Sequence, residues 1–199
     1  LNATSTGLFV DDLFAPTALT VFDDAEGGIR YWPDVIDAAL AAQWFDALVD
    51  GVDWMHQRRP MYDRIVDVPR LQAHYRLDAL PPQLPLAQML ACVQGRVPAP
   101  YSSAGLNLYR DGRDSVAMHH DKLHTLLPGQ PIALLSLGST RCMHIRPKTG
   151  ARRIHALELR PGSLLVMSHA SQLTHEHGIP KTARPAAPRM SVVFRARPD

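Results

Sequence analysis

Hydrophobic positions follow two rhythms along this chain. Between Val35 and Val49, the apolar residues Ile36, Leu40, Trp44, Ala47 and Leu48 recur at helical spacing. They make one stripe of an amphipathic helix that packs on a sheet. Asp34 precedes the stripe as a cap and Gly51 follows it as a stop, which predicts a helix from Val35 to Val49. Ile29 to Trp32 reads as a short strand, and Trp54 to Val68 as an extended stretch ending at Pro69-Arg70. A proline-rich linker, Leu80 to Pro85, leads into a second helix from Leu86 to Gln94, which Gly95 stops and Pro98 and Pro100 keep from resuming. From Ser103 the rhythm changes. Short apolar runs lie between turn signals at Gly105 to Tyr109, Ser115 to His119, Ile132 to Leu137, Arg141 to Arg146, Ile154 to Leu159, Ser163 to Ser168 and Arg189 to Arg195. Many short strands at this spacing predict a β-sandwich or barrel, so the fold class is mainly β with flanking helices (α+β). Residues 1–28 read as an irregular lead-in. Residues 29–199 form one domain, with helices at 29–102 and the β core at 103–199.

Composition narrows this picture only slightly. At 199 residues the chain fits one domain with a substantial core, and 46% hydrophobic with 20% charged residues disfavours disorder. No run approaches the ~18 apolar residues of a membrane helix. The first residues, Leu1 to Gly7, lack a signal peptide's basic start and apolar core, so a cytoplasmic location is expected. Two cysteines, Cys92 and Cys142, form no disulfide framework or zinc spacing and read as reduced thiols. Charge is more telling. Residues 1–60 hold ten Asp/Glu against three Arg, a balance of −7, whereas residues 140–199 hold eleven Lys/Arg against three Asp/Glu, a balance of +8. A basic half can steer a polyanion into a groove.

Candidate chemistry lies in the same half. His119 and Asp121 are two residues apart at the end of a strand-like run, so alternation lets both point to one face. His177 supplies a third donor from a turn held by Gly178 and Pro180, with His175 as the alternative on the same face. His120 points the other way. A His-x-Asp pair alone is near chance for a chain with ten histidines. Two imidazoles and one carboxylate leave open positions on a metal, the pattern of non-haem Fe(II) oxygenases. Zinc favours closed sites with more cysteine or histidine, and neither cysteine is near these residues in sequence. Arg189, Ser191, Val193 and Arg195 share one face of the last strand-like run. Two arginines turned into a core are costly unless each meets an anion. A keto-acid would be such an anion.

Several segments then resemble one family. Asn107-Leu108-Tyr109-Arg110-Asp111-Gly112-Arg113-Asp114-Ser115, Leu135-Ser136-Leu137-Gly138, Pro161 to Met167, His177-Gly178-Ile179-Pro180 and Arg189-x-Ser191-x-x-Phe194-Arg195 resemble the AlkB family of 2-oxoglutarate- and Fe(II)-dependent oxygenases. The resemblance runs from Pro69 to Arg195, with a thinner echo at Asp12-Leu13-Phe14. It implies a double-stranded β-helix (jelly roll) with N-terminal helices backing one sheet and a substrate lid within 29–102. It further implies His119, Asp121 and His177 as iron ligands. Arg189, Tyr109 and Ser191 would hold the distal carboxylate of 2-oxoglutarate, and Arg195 and Asn107 the carboxylate nearer the iron. The implied reaction uses O2, converts 2-oxoglutarate to succinate and CO2, and releases the methyl group of an alkylated base as formaldehyde. DNA or RNA, as a single strand or a flipped base, is the implied partner of a monomeric enzyme.

The substrate pocket departs from the family. Its members commonly carry an acidic residue just after His-x-Asp, where this chain has Lys122, Leu123 and His124. Pro69-Arg70-Leu71-Gln72-Ala73-His74-Tyr75 resembles the family segment leading to the pocket, but the aromatic-rich stretch after it is missing. Pro69, Arg70, Tyr75, Leu123 and His124 are therefore the pocket candidates. Tyr62, Tyr75, Trp54 and His119 are the side chains available to stack a flipped base. The alternatives are the same chemistry on a small metabolite or protein side chain, or a cupin-like binding domain without turnover.

Overall fold

The computed structural model describes residues 18–198 apart from 62, 63 and 152, and not the side chains of 59–61 and 64–66. The echo at Asp12-Leu13-Phe14 and the stacking candidate Tyr62 lie outside the described residues. In chain order the elements are β1 (Leu19–Phe22), β2 (Ile29–Trp32), α1 (Ala38–Gly51), β3 (Met55–Met61), β4 (Arg64–Arg76), α2 (Leu86–Arg96), β5 (Ser103–Tyr109) and β6 (Val116–His119). After a 3-10 turn at Leu123–Thr125 follow β7 (Ile132–Gly138), β8 (Arg141–Pro147), β9 (His155–Leu159), β10 (Leu164–Met167), α3 (Ser171–Thr174), β11 (His175–Ile179) and β12 (Arg189–Arg195).

The strands form two sheets. The larger has the order β1-β2-β10-β7-β12-β5-β4-β3, and the smaller β6-β11-β8-β9. All the pairings are antiparallel. This is the jelly roll, with α1 and α2 on the outer face of the large sheet. Alternation along β12 builds both cores. Met190, Val192 and Phe194 join Trp44, Leu48, Met89 and Val93 on the helix side. Val193 joins Tyr109, Ile145 and Ile179 between the sheets. Full burial of each large apolar side chain stabilises the fold by about 1.5–3 kcal/mol. Among the described residues no helix is long and apolar enough to cross a membrane.

Element ends differ from the pattern where tertiary contacts intervene. Helix α1 is capped by Asp37, whose Oδ1 accepts from the Leu40 amide at 2.8 Å, and not by Asp34. The amides of Val35 and Ile36 both donate to the Gly162 carbonyl, so that segment is tied to the β9–β10 turn before the helix can begin. Gly95 lies inside α2. The chain leaves the helix at Val97, whose backbone (φ −138°, ψ 84°) lies outside the helical region that a following proline disfavours. Strand β1 falls within the lead-in expected to be irregular, and its half-exposed residues give no alternation to read.

Candidate active site

The site lies between the sheets, where β6 and β11 face β12, β5 and β4. His177 is in a strand, not in the turn expected for it, and pairs directly with His119 across β6 and β11. Their rings stand 4.5 Å apart, centroid to centroid. The ladder slips just after His177, and Gly178 is what allows the strands to close there. A Cβ on Gly178 would stand 2.9 Å from the Val116 carbonyl oxygen. His119 Nδ1 is engaged by the Ala117 carbonyl at 2.9 Å. His175 turns away to pack its ring 4.1 Å from Phe22, and His120 is exposed.

Asp121 is not placed by strand alternation, because β6 ends at His119. Two other contacts hold it. Its amide donates to Gln172 Oε1 at 3.0 Å, and its carboxylate accepts from Arg195 Nε at 2.8 Å and Nη2 at 3.2 Å. Burial alone would raise the Asp121 pKa, but the charge and paired hydrogen bonds of Arg195 outweigh it and hold it below the usual 3.8. Burial, reinforced by His119, pushes the His177 pKa down to about 3, so this imidazole is neutral at physiological pH. A metal needs its ligands in these protonation states. Among the described residues, no three His, Cys, Asp or Glu side chains already enclose a point where an ion would sit. The Asp121 carboxylate is turned onto Arg195. Two imidazoles and a carboxylate within one another's electrostatic reach still fit Fe(II) chemically.

The surroundings of Arg189 give the sharper test of fit. Arg189 is fully buried on β12, and burial weighs against its charge. Its Nη2 donates to Ser136 Oγ at 3.2 Å, and its guanidinium stands 5.1 Å from the Tyr109 ring centroid. Nε and Nη1 are buried with no partner. A fixed cation with two unpaired buried donors is costly, and a carboxylate resolves it through charge-assisted hydrogen bonds. Ser191, on the same face, is also buried. The residues present therefore fit a buried acid such as 2-oxoglutarate.

Asn107 and Arg195, paired in the sequence reading, are engaged separately. Asn107 Oδ1 accepts from Arg70 Nε at 2.8 Å and Gln72 Nε2 at 3.0 Å, while Arg195 is committed to Asp121. Arg70 also donates to the Ser115 carbonyl, and the Ser115 amide donates to the Pro69 carbonyl, tying β4 to the start of β6. Tyr75 is not brought to the site. It lies on the opposite face of β4, packed, as Trp54 is, against the helix-side core, because its strand neighbours on that face are Leu71 and Ala73. Leu123 is half-buried and His124 exposed, both in the 3-10 turn. Three functional side chains were missed. Ser136 and Gln172 are far in sequence from the groups they hold, and Gln72 shares its face of β4 with Arg70, which alternation alone reveals.

The fold agrees with the comparisons. The description "2OG-Fe(II) oxygenase superfamily" matches residues 28–195. The human DNA oxidative demethylase ALKBH2 is 36% identical over 97 residues, 45% of this chain and 37% of that protein. The mouse alpha-ketoglutarate-dependent dioxygenase alkB homolog 3 is 28% identical over 184 residues, 82% of this chain and 64% of that protein. The chain thus spans about a third to two thirds of the length of these relatives. The solved structure of OsALKBH1 superimposes with a TM-score of 0.63 over 91% of this chain and 100% of its own, at 12% identity, which supports the fold. With the superfamily match running from residue 28 to residue 195, the chain belongs to the 2OG-Fe(II) oxygenase superfamily, whose cofactors are Fe(II) and 2-oxoglutarate, and the relatives it resembles are AlkB proteins.

Proposed function

We propose that this chain demethylates alkylated nucleic-acid bases by oxidation, with His119, Asp121 and His177 as the iron ligands. The observation that carries the reading is Arg189, a fully buried cation with two unpaired donors on the strand facing the histidine pair. Iron held there supplies O2 activation. Arg189, with Tyr109 and Ser191, anchors the distal carboxylate of 2-oxoglutarate, and burial keeps water from competing for it. Arg195 keeps Asp121 ionised and oriented. The balance is one O2 and one 2-oxoglutarate in, succinate and CO2 out, and one oxygen atom added to the N-methyl group, which leaves as formaldehyde. The relative named as a DNA oxidative demethylase supports this substrate class, as does the +8 balance of residues 140–199 (eleven Lys/Arg, three Asp/Glu).

Substrate choice depends on the mouth of the site. Leu123, in the 3-10 turn just past Asp121, cannot accept a hydrogen bond from an exocyclic amine. Arg70 and Gln72 on β4 are polar groups on the site side of the sheet, both donating to Asn107 Oδ1. With Fe(II), 2-oxoglutarate and O2, the protein is expected to release formaldehyde from oligonucleotides carrying 1-methyladenine or 3-methylcytosine, matching the succinate formed. Succinate without formaldehyde on every lesion would instead favour a small metabolite or protein side chain as substrate.

A further inference from the structure

Asp121 lies just past the end of β6, where no strand ladder holds its backbone. Its amide is instead held by the side chain of Gln172, 51 residues away and 1% exposed. Gln172 is fixed from behind. Its Nε2 donates to Ser171 Oγ at 3.1 Å, and its own carbonyl accepts from Lys148 Nζ at 2.7 Å. The Ser171 hydroxyl donates to the Ser168 carbonyl at 2.7 Å, and the Ser171 amide donates to Ser168 Oγ at 2.9 Å. The Ser168 hydroxyl donates to Asp24 Oδ2 at 2.6 Å. Asp24 Oδ1 closes the β1–β2 turn by accepting from the amides of Glu26 and Gly28, both at 2.8 Å.

The direction of every bond in this series is forced. An ionised Asp24 can only accept, so Ser168 donates its hydroxyl proton and offers a lone pair to the Ser171 amide. The Ser171 hydroxyl proton goes to a carbonyl, so its lone pair takes the Gln172 amide. Gln172 must then present Oε1 to Asp121, whose amide can only donate. Ser168, Ser171 and Gln172 are all buried, so each bond lies in a low-dielectric interior where an unmade partner is costly.

We propose that Gln172 is a positioning residue for the site: the buried series Asp24–Ser168–Ser171–Gln172 sets where the Asp121 carboxylate stands and hence how tightly the donor set takes a divalent metal. The inference rests on Asp121 being a ligand, and it assigns the N-terminal β1–β2 turn a role in metal affinity.

The test is a Co(II) titration of the metal-free protein, followed by visible absorption, with urea unfolding as the control for folding. Gln172→Met keeps the volume and removes the acceptor, and is expected to weaken Co(II) binding about 10–100-fold, as loss of a group supporting a metal ligand does, with an altered band shape. Ser171→Ala is expected to weaken binding less, and Ser171→Thr to restore it. Because Ser171 acts through Gln172, the double variant Gln172→Met/Ser171→Ala should bind no more weakly than Gln172→Met alone. Wild-type affinity and band shape in Gln172→Met overturn the inference while leaving the ligand assignment standing, and so do losses that multiply in the double variant. If Gln172→Met fails to fold, the Ser171→Ala and Ser171→Thr pair decides, and equal wild-type binding in both overturns it. Failure of the wild type to bind Co(II) overturns the ligand assignment itself, and the inference with it.

Discussion

Replacing Arg189 with methionine is expected to raise the KM for 2-oxoglutarate by about 10²-fold or more while leaving the metal-free protein at least as stable as wild type. The two halves of this expectation have one cause. Arg189 carries its charge at zero exposure, supported by Ser136 and Tyr109, with its Nε and Nη1 donors without partners. In the absence of an acid it is a desolvated, incompletely paired cation, and swapping such a group for an apolar side chain of similar volume is neutral to stabilising. In the presence of the acid the two donors form charge-assisted bonds of about 1.5–3 kcal/mol each, which together correspond to roughly 10²–10⁴ in affinity. Thermal unfolding should therefore show 2-oxoglutarate raising the melting temperature of the wild type and not of Arg189→Met. A large loss of stability in the variant without the acid would mean that Arg189 serves the core and not a ligand.

The second large effect concerns Arg195. It is expected that Arg195→Leu costs about 3–5 kcal/mol of stability, because it leaves Asp121 as an unpaired charge in the interior. The pair is well shielded: the side chains are 17% and 14% exposed, and the Nε bond is 2.8 Å. The double replacement Arg195→Leu/Asp121→Leu should recover most of that loss, since the cost lies in the stranded carboxylate and not in the missing bond. Urea unfolding at neutral pH checks both variants. A single variant within about 1 kcal/mol of wild type, the ordinary size of an exposed pair, would show that water reaches Asp121 freely. Turnover should be lost in both variants, since each disturbs the carboxylate on which metal binding depends.

How much of this was legible in the sequence depends on how local the cause is. Strand β12 spans Arg189–Arg195 as predicted, with Arg189, Ser191, Val193 and Arg195 on one face, and the structure shows its two faces feeding two cores. Local periodicity suffices there because both faces are buried and any slip would exchange them. Asp34 was a reasonable cap by type, but the Gly162 carbonyl claims the next two amides, and that contact spans more than a hundred residues. The turn expected at His177 rested on Gly178 and Pro180. The glycine is there for close approach between β6 and β11, and the proline only ends the strand. Tyr75 could have been placed correctly, since Leu71, Ala73 and Tyr75 alternate against Arg70, Gln72 and His74. Asp121 was assigned the right neighbourhood for an incomplete reason. Its backbone depends on Gln172 and its carboxylate on Arg195, 51 and 74 residues away, and nothing in the spacing of His-x-Asp carries either contact.

The most direct measurement is anaerobic titration of the metal-free protein with Fe(II) and 2-oxoglutarate, followed in the visible range. A metal that takes the two histidines and Asp121, with the keto-acid anchored by Arg189, predicts a weak charge-transfer band in the wild type that is absent in His119→Ala and His177→Ala. An undiminished band in both histidine variants would contradict the account, because the metal would then be held elsewhere.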